Sequence, residues 1–456
     1  MVDIEFNGTM DALSIQKQVD NLCKTQLIPA LEALLGRYNT PGDLIRIDRM
    51  VVELTGLSLH DFEGTFASRA LNEIEKVLQE KLNNAGVSAE RIAEPANLMR
   101  LLGFYLKNGF MPWWSTIKNI EGWHNYLLDL FENSSQSTST ELRVLLKESN
   151  ARARFIIGLN DNIYWSLIKN ILPEIASCLQ GDLASILAHK WSLHMRNQLE
   201  FIYMNSLLDA WANQDTAVQV LDDFSALLLK GMQELNPKGV GLVSPAKLQL
   251  EELRNAFSQW QQSNGTWTMD LQSPDTSSGD IQLNSISGST SPAGEPIFIN
   301  NAGLAIIAPY LSMLFRQVDI LVESQITHPS KAIALIQFLA KGSEGYAEFE
   351  TAFPKILCGA MPAEVFASSP LSAEEKRQAI YLLESVIEHW AVLKNTSVQG
   401  LREAFLQREG RLQYQNNEWV LLVQQESYDV LLSHIPWNIN LIRLPWMPAL
   451  LRVDWF

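Results

Sequence analysis

Apolar and polar positions change their period several times along this chain, and each change predicts an element. Val2 to Phe6 alternates apolar with acidic residues, as a half-buried strand does. From Ser14 to Leu35, Ile15, Val19, Leu22, Leu27, Leu31 and Leu34 recur at helical spacing, and Pro29 is expected to kink or split that helix. Pro41-Gly42-Asp43 is turn chemistry, and the Ile- and Val-rich stretch Leu44 to Leu54 predicts a second strand. Phe66, Ala70, Ile74, Val77, Leu78 and Leu82 then mark one face of a helix. Two strands alone are marginal in water, so this sheet is expected to pair with another copy or another part of the chain.

From Pro95 to about Gln262 the period is helical throughout. The clearest segments are Leu98 to Leu106, Trp123 to Phe131, Ala151 to Ile157, Ile163 to Leu179, Ala184 to Met195, Gln198 to Trp211 and Val218 to Leu235. No fixed repeat length runs through them, which argues against a solenoid. Ser263 to Gly294 is dense in Ser, Thr, Gly, Asp and Asn and carries too little apolar surface to offset the entropy of ordering, so it reads as a linker or exposed loop. Ala302 to Phe315, Lys331 to Ala340 and Ala373 to Leu393 predict helices. After Gly410 the period drops to two, and Trp419 to Val423, Ile439 to Leu444 and Leu450 to Trp455 read as short strands. The predicted fold is mainly α: a small N-terminal α+β unit at 1–87, a central helical region at 88–262, a polar segment at 263–294, and at 295–456 helices ending in a small β-rich element.

Composition narrows the function classes. The 456 residues are 47% apolar and 19% charged, enough to build a core and unlike a disordered or fibrous chain. A net charge of −16 argues against nucleic-acid binding and against anionic membrane surfaces, because both need clustered Lys and Arg. Three well-separated cysteines, Cys23, Cys178 and Cys358, predict neither a disulfide framework nor a zinc site. The first residues lack a basic and then apolar leader, and the longest apolar run, Ala302 to Phe315, is too short to span a bilayer.

Catalytic signatures are missing where they would be legible. The seven histidines form no HExxH, and His189 and His194 are five apart, off a common helical face. Gly239-Val240-Gly241 follows a helix and lacks a third glycine, so it reads as a turn. Ser427, Asp429 and His434 make a triad only on paper, and Glu374-Glu375 suits a solvated helix start. A pair of sugar-cleaving carboxylates has no sequence spacing by which it could be recognised. Tryptophan is the unusual feature: there are 13, four of them in the last 38 residues. Trp supplies large buried area, so core or subunit interface is the expected use.

Several long phrases stand out: Leu27 to Glu32 with Ile45 to Arg49 and Val52 to Leu54, then Tyr105 to Trp114, and Asn301 to Leu304 with Pro309 to Leu311 and Leu314-Phe315. Leu393 to Arg402 with Phe405 to Arg408, and Ile435 to Met447, complete the set. Together they resemble one family, the tape measure proteins of contractile injection systems, the phage-tail-like particles of the antifeeding-prophage and Photorhabdus virulence cassette type. The resemblance covers about 1–115 and 300–456, and none of its phrases is a catalytic signature. It implies a structural, non-enzymatic and cofactor-free component that limits or starts tube polymerisation in the tube lumen or at the baseplate hub. The implied partners are inner tube proteins, baseplate hub and spike proteins, and the tube terminator, with homo-oligomerisation open and no nucleic acid or membrane. The implied course is from the cytoplasm during assembly to the extracellular particle. The expected docking surfaces carry Arg46, Asp48, Arg49, Trp113, Trp114, Lys394, Asn395, Arg402, Trp437, Arg443 and Trp446. Rulers of this family are often longer in the middle. Here the unmatched stretch of about 185 residues would span only ~280 Å as one helix. An assembly chaperone or cargo adaptor, and a tube-carried wall hydrolase, are the alternatives.

Overall fold

The computed structural model describes residues 15–455 except 16–17, 20, 39–42, 48–49, 55–61, 84–89, 116, 118–119, 133–135, 189–192, 236–295 and 394. Contacts divide the chain into two compact units, 1–98 and 99–456.

In the first unit Ile15, Val19, Leu22 and Phe66 form the core, the same apolar stripe that the helical spacing predicts. The helix does not simply kink at Pro29. A π-turn at Cys23–Leu27 precedes α1 (Ile28–Gly36), and Pro29 sits in the first turn of α1. There its missing N–H breaks no i→i−4 bond, and the widened turn before it absorbs the irregularity. Strand β1 (Asp43–Arg46) pairs antiparallel with β2 (Glu90–Ala93), Arg46 opposite Glu90. Only the start of the predicted Leu44–Leu54 strand is therefore a strand, since Val51 to Leu54 have no ladder partner. The predicted strand Val2–Phe6 lies outside the described residues. Helix α2 (Phe62–Asn83) carries the predicted apolar face.

The second unit begins with packed helices: α3 (Glu94–Asn108), α4 (Ile120–Glu132), α5 (Gln136–Leu145), α6 (Ser149–Gly158), α7 (Asp161–Ile171), α8 (Ala176–Leu187), α9 (Leu193–Asn213) and α10 (Ala217–Leu235). The predicted helix Ile163–Leu179 is two helices, because Pro173 cannot continue α7. Asn160 caps α7, its Oδ1 accepting from Ile163 N at 3.0 Å. Helices α9 and α10 pack side by side, joined through only three residues. The predicted linker at 263–294 lies outside the described residues.

From 296 the chain builds a mixed sheet and its covering helices. The elements are β3 (Ile297–Ile299), α11 (Leu304–Ile307), α12 (Leu311–Gln317), β4 (Leu321–Val322), β5 (Gln325–Ile326), α13 (Pro329–Lys341), α14 (Ala352–Leu357), α15 (Ala373–His389), α16 (Val398–Leu401), β6 (Gly410–Gln415), β7 (Glu418–Val423), β8 (Leu441–Ile442) and β9 (Leu451–Asp454). The predicted helix Ala302–Phe315 is broken by a 3₁₀ turn at Ala308–Tyr310, which holds Pro309. Ser372 and Glu375 close a capping box on α15, which accounts for the Glu374-Glu375 pair. The sheet order is β3-β6-β7-β9-β8, antiparallel except for β7 with β9. Asn416 and Asn417, both at positive φ, make the two-residue turn that joins β6 to β7. Leu412, Leu421, Leu451 and Val453 face a core shared with α11 to α15, as the period-two pattern after Gly410 requires. Among the described residues no helix is long and apolar enough to cross a membrane.

Candidate docking surface

Most of the distinctive residues turn out to hold the second unit together. Each of three late tryptophans donates its indole N–H to a backbone carbonyl, two of them at or near a helix end and the third, from Trp390, within the 3₁₀ segment Asp429–His434. Trp437 bonds Ile306 O at 2.9 Å in α11, Trp446 bonds Leu357 O at 2.8 Å at the end of α14, and Trp390 bonds Leu431 O at 3.1 Å. The last carbonyls of a helix have no intrahelical donor, so these bonds satisfy groups that burial would leave unpaired. Trp437 and Trp446 are half-buried, and the Trp446 ring also lies against Phe315 at 5.5 Å between centroids. The two Pro-Trp pairs thus tie the tail to the helices it covers.

The phrase Leu393 to Arg408 works in the same way. Arg402 is buried and donates to Leu339 O at 3.0 Å and Phe338 O at 3.3 Å, while Gln407 donates to Ala340 O at 3.0 Å. Together they cap α13, whose chain leaves through Gly342 in the left-handed region. Arg402 therefore departs from the expected surface: its guanidinium serves a helix end, and burial holds its pKa down. Arg408 forms a bidentate pair with Asp429 at 2.8 Å on both oxygens, between the rings of Tyr428 and Trp455. Trp455 Nε1 donates to the same carboxylate at 3.2 Å. Burial pushes Asp429 up, and its hydrogen bonds to Arg408 and to Glu426 N outweigh that, holding it below its ordinary value. With Asp429 so engaged, and Ser427 and His434 both exposed, the paper triad is not assembled. In the phrase starting at Asn301, the Cβ that Gly303 lacks would lie 1.6 Å from Phe405 O, so only glycine admits this approach of the two phrases.

A second buried charge node joins the helical region of this unit to the sheet region. Helix α6 buries two arginines, Arg152 and Arg154, whose two-residue spacing turns them to nearly opposite sides of the helix. Arg152 reaches Leu146 O, Lys147 O and, at 3.1 Å, Asp209 of α9. Arg154 reaches Glu348 at 3.2 Å as well as Leu106 O and Ala363 O. Glu348 also accepts from Lys355 of α14 at 2.9 Å and from the Tyr105 hydroxyl of α3 at 2.9 Å. Burial alone would raise the Glu348 pKa. Lys355 and Arg154 outweigh it and hold the carboxyl below its ordinary value. Burial pushes Lys355 down and, helped by Glu348, Tyr105 up. Sequence reading missed this node, because neither Glu348 nor Lys355 carries any local signature.

The exposed candidates do not gather at one place. After α3, Phe110 and Met111 are buried, Ser115 N bonds Pro112 O at 3.0 Å, and Trp113 is left 70% exposed. Trp113 and Phe298 of β3, itself 51% exposed, line an open groove of about 560 Å³ that extends across β3, the start of β6 and the end of β7, with Glu350, Glu409 and Arg411 also in its wall. Trp114 is half-buried, and Asn395 and Arg443 are exposed elsewhere on the unit. Asp48, Arg49 and Lys394 lie outside the described residues. Among the described residues no group of His, Cys, Asp and Glu is arranged to hold a metal ion.

The described fold is mainly helical with a small C-terminal sheet, and several of its distinctive residues are absorbed in internal caps and ion pairs. The chain belongs to the contractile injection system tape measure protein family, whose model matches residues 1–455. Its role is that family's structural one, setting tube length. No curated protein and no solved structure matches the chain.

Proposed function

We propose that this protein acts without enzymatic activity or cofactor as an anchoring ruler. Unit 99–456 is held at the baseplate hub, and the chain limits or starts tube polymerisation from there. The observation that carries this reading is the closed packing of that unit. The described helices of that unit are short and packed, the longest of them, α9, having 21 residues or about 32 Å of rise. Such a unit suits a fixed attachment point better than a stretched strand in a lumen. The partners are inner tube proteins, hub and spike proteins and the terminator. The protein is made in the cytoplasm and leaves the cell inside the particle.

Deleting the protein and measuring particles by electron microscopy tests the reading. Missing particles or tubes of scattered length are expected, and tubes of unchanged, uniform length would refute it. Mass spectrometry of purified particles separates a retained anchor from an assembly chaperone, and zymography on peptidoglycan tests for a hydrolase.

A further inference from the structure

Asn160, which caps α7 through Oδ1, turns the other end of its amide to helix α4, where Nδ2 lies 3.0 Å from His124 Nδ1. The cap fixes which way round the amide stands. Nδ2 can only donate, so His124 Nδ1 is the acceptor and the ring proton sits on Nε2. That Nε2 is buried and has no hydrogen-bond partner among the described residues. His124 and Asn160 line a pocket of about 150 Å³ together with Tyr346, Glu348, Lys355 and Phe366 of the sheet region. The charged groups described around the ring do not favour a second cation. On its own helix Glu121 is exposed, as is Asp161 at the start of α7. Across the pocket Lys355 is paired with Glu348, whose carboxylate is already held by Arg154 of α6 and Tyr105 of α3. Burial holds the His124 pKa below its ordinary value.

We propose that His124 is a proton-operated latch on the start of α7. Uncharged, it holds Asn160 where the amide caps the helix, and on taking up a proton from solvent it lets go. A proton on Nδ1 faces the Nδ2 protons of Asn160, donor against donor. Relief comes by turning the Asn160 amide, which takes Oδ1 away from Ile163 N, or by moving the ring. Turning the amide uncaps α7 outright, and moving the ring frees Asn160 to leave the cap. Both loosen the pocket wall that faces Lys355 and Glu348. The direction with pH follows. The closed form is fully favoured above the ordinary histidine value, about 6.5, and its advantage is lost as the pH falls through the lower value of the closed form. The onset lies above the range in which Glu348 and Asp429, held below ordinary carboxylate values, take up protons. The protein is thus closed at neutral pH and loosened in mildly acidic surroundings.

The test follows the full chain by hydrogen exchange and by NMR of histidine labelled with carbon-13 at Cε1. After correction for the intrinsic rate, amides at the start of α7 should exchange up to about tenfold faster at about pH 5.5 than at about pH 7.5, the factor by which protonation favours the open form. The His124 signal, assigned as the one lost in His124→Asn, should titrate below about 6.5. Unchanged exchange, or titration at or above that value, would overturn the proposal. In His124→Asn the new amide oxygen can still accept from Asn160 but takes up no proton, so the pH response at α7 should vanish. The same rise in that variant would show that His124 is not the latch. Asn160→Asp reverses the arrangement. Its carboxylate can accept from Ile163 N and from a protonated Nδ1 together, so the His124 pKa should rise above its ordinary value and the start of α7 should stay protected at about pH 5.5. Exchange in Asn160→Asp that follows the wild-type profile would overturn the latch, even if His124→Asn fails to fold.

Discussion

A single carboxylate, that of Glu348, receives donors from Tyr105, Arg154 and Lys355, which come from three different helices. Removing the central anion of a buried cluster leaves its cations uncompensated, whereas removing a neutral donor costs only one hydrogen bond. Glu348→Gln is therefore expected to destabilise the protein by about 3–5 kcal/mol and Tyr105→Phe by about 1 kcal/mol. Urea denaturation followed by tryptophan fluorescence checks the ranking, and equal effects would show that the cluster is not organised around Glu348. This node and the Arg408–Asp429 pair together set a pH dependence. Glu348 and Asp429 titrate below their ordinary values in the fold, so the unfolded chain binds protons more readily than the native one. Their contribution to stability is complete above the ordinary carboxylate range and is lost as the pH falls through the folded values. Thermal midpoints should thus drop on acidification below about pH 4.5, and Glu348→Gln and Asp429→Asn should each flatten that slope.

Helix α13 shows how elements here depend on distant residues. It was read from the sequence as Lys331 to Ala340; it starts two residues earlier, with Pro329 in the first turn, and its end is marked by Gly342. What satisfies its last carbonyls comes from 60 residues further on, in Arg402 and Gln407, and no local pattern announces that. A Cβ at Gly342 would lie 2.7 Å from an Arg402 guanidinium nitrogen at a φ of 78°. Gly342→Ala should accordingly cost about 1–3 kcal/mol, more than the αL penalty alone, and pairing it with Arg402→Ala should recover part of the difference. Strict additivity in that cycle would refute the clash. The same contrast explains which elements sequence reading found. The helical character of most segments and the switch to period two after Gly410 are local patterns and were legible, but the breaks within Ile163–Leu179, Ala184–Met195 and Ala302–Phe315 were not, and β6 was not singled out as a strand. Strand β2 was missed because Glu90-Arg91-Ile92-Ala93 has no alternation, and β3 because three residues are too few to show a period. The tail residues were legible as apolar and aromatic but not as bonded to Ile306 and Leu357, since a contact across 89 or 131 positions leaves no spacing to read. Removing 435–456 strips β8, β9 and the buried Trp455 from the sheet. The expected product is insoluble or unfolded. A soluble, folded truncation that fails to enter particles would instead make the tail a docking element.

At the scale of the whole chain the question is where length is measured. If any regular stretch served as the gauge, duplicating the region between Ala151 and Gln262 would lengthen tubes in proportion to the residues added. The packing of α6 to α10 speaks against that. Helix α6 is fixed on one side to Asp209 and on the other to Glu348, and α9 and α10 pack against each other through buried faces. A duplicate of these helices has no second core to occupy, so it should abolish assembly instead of adding length. An insertion between 236 and 295 is different, because every described contact of α10 and β3 stays in place. If the protein measures length through this part of the chain, 30 inserted helix-forming residues should lengthen the tube by about 45 Å, and 60 by about 90 Å, at 1.5 Å of rise per residue. Inserted residues in an extended conformation would add about 100 Å per 30. The slope of tube length against residues inserted, measured by electron microscopy on variants of 30, 60 and 90 residues, therefore reports both the role and the conformation of the gauge. A proportional slope is the expected outcome. Tubes of constant length across the series would place the control of length in the anchored unit itself, which then starts the tube without gauging it.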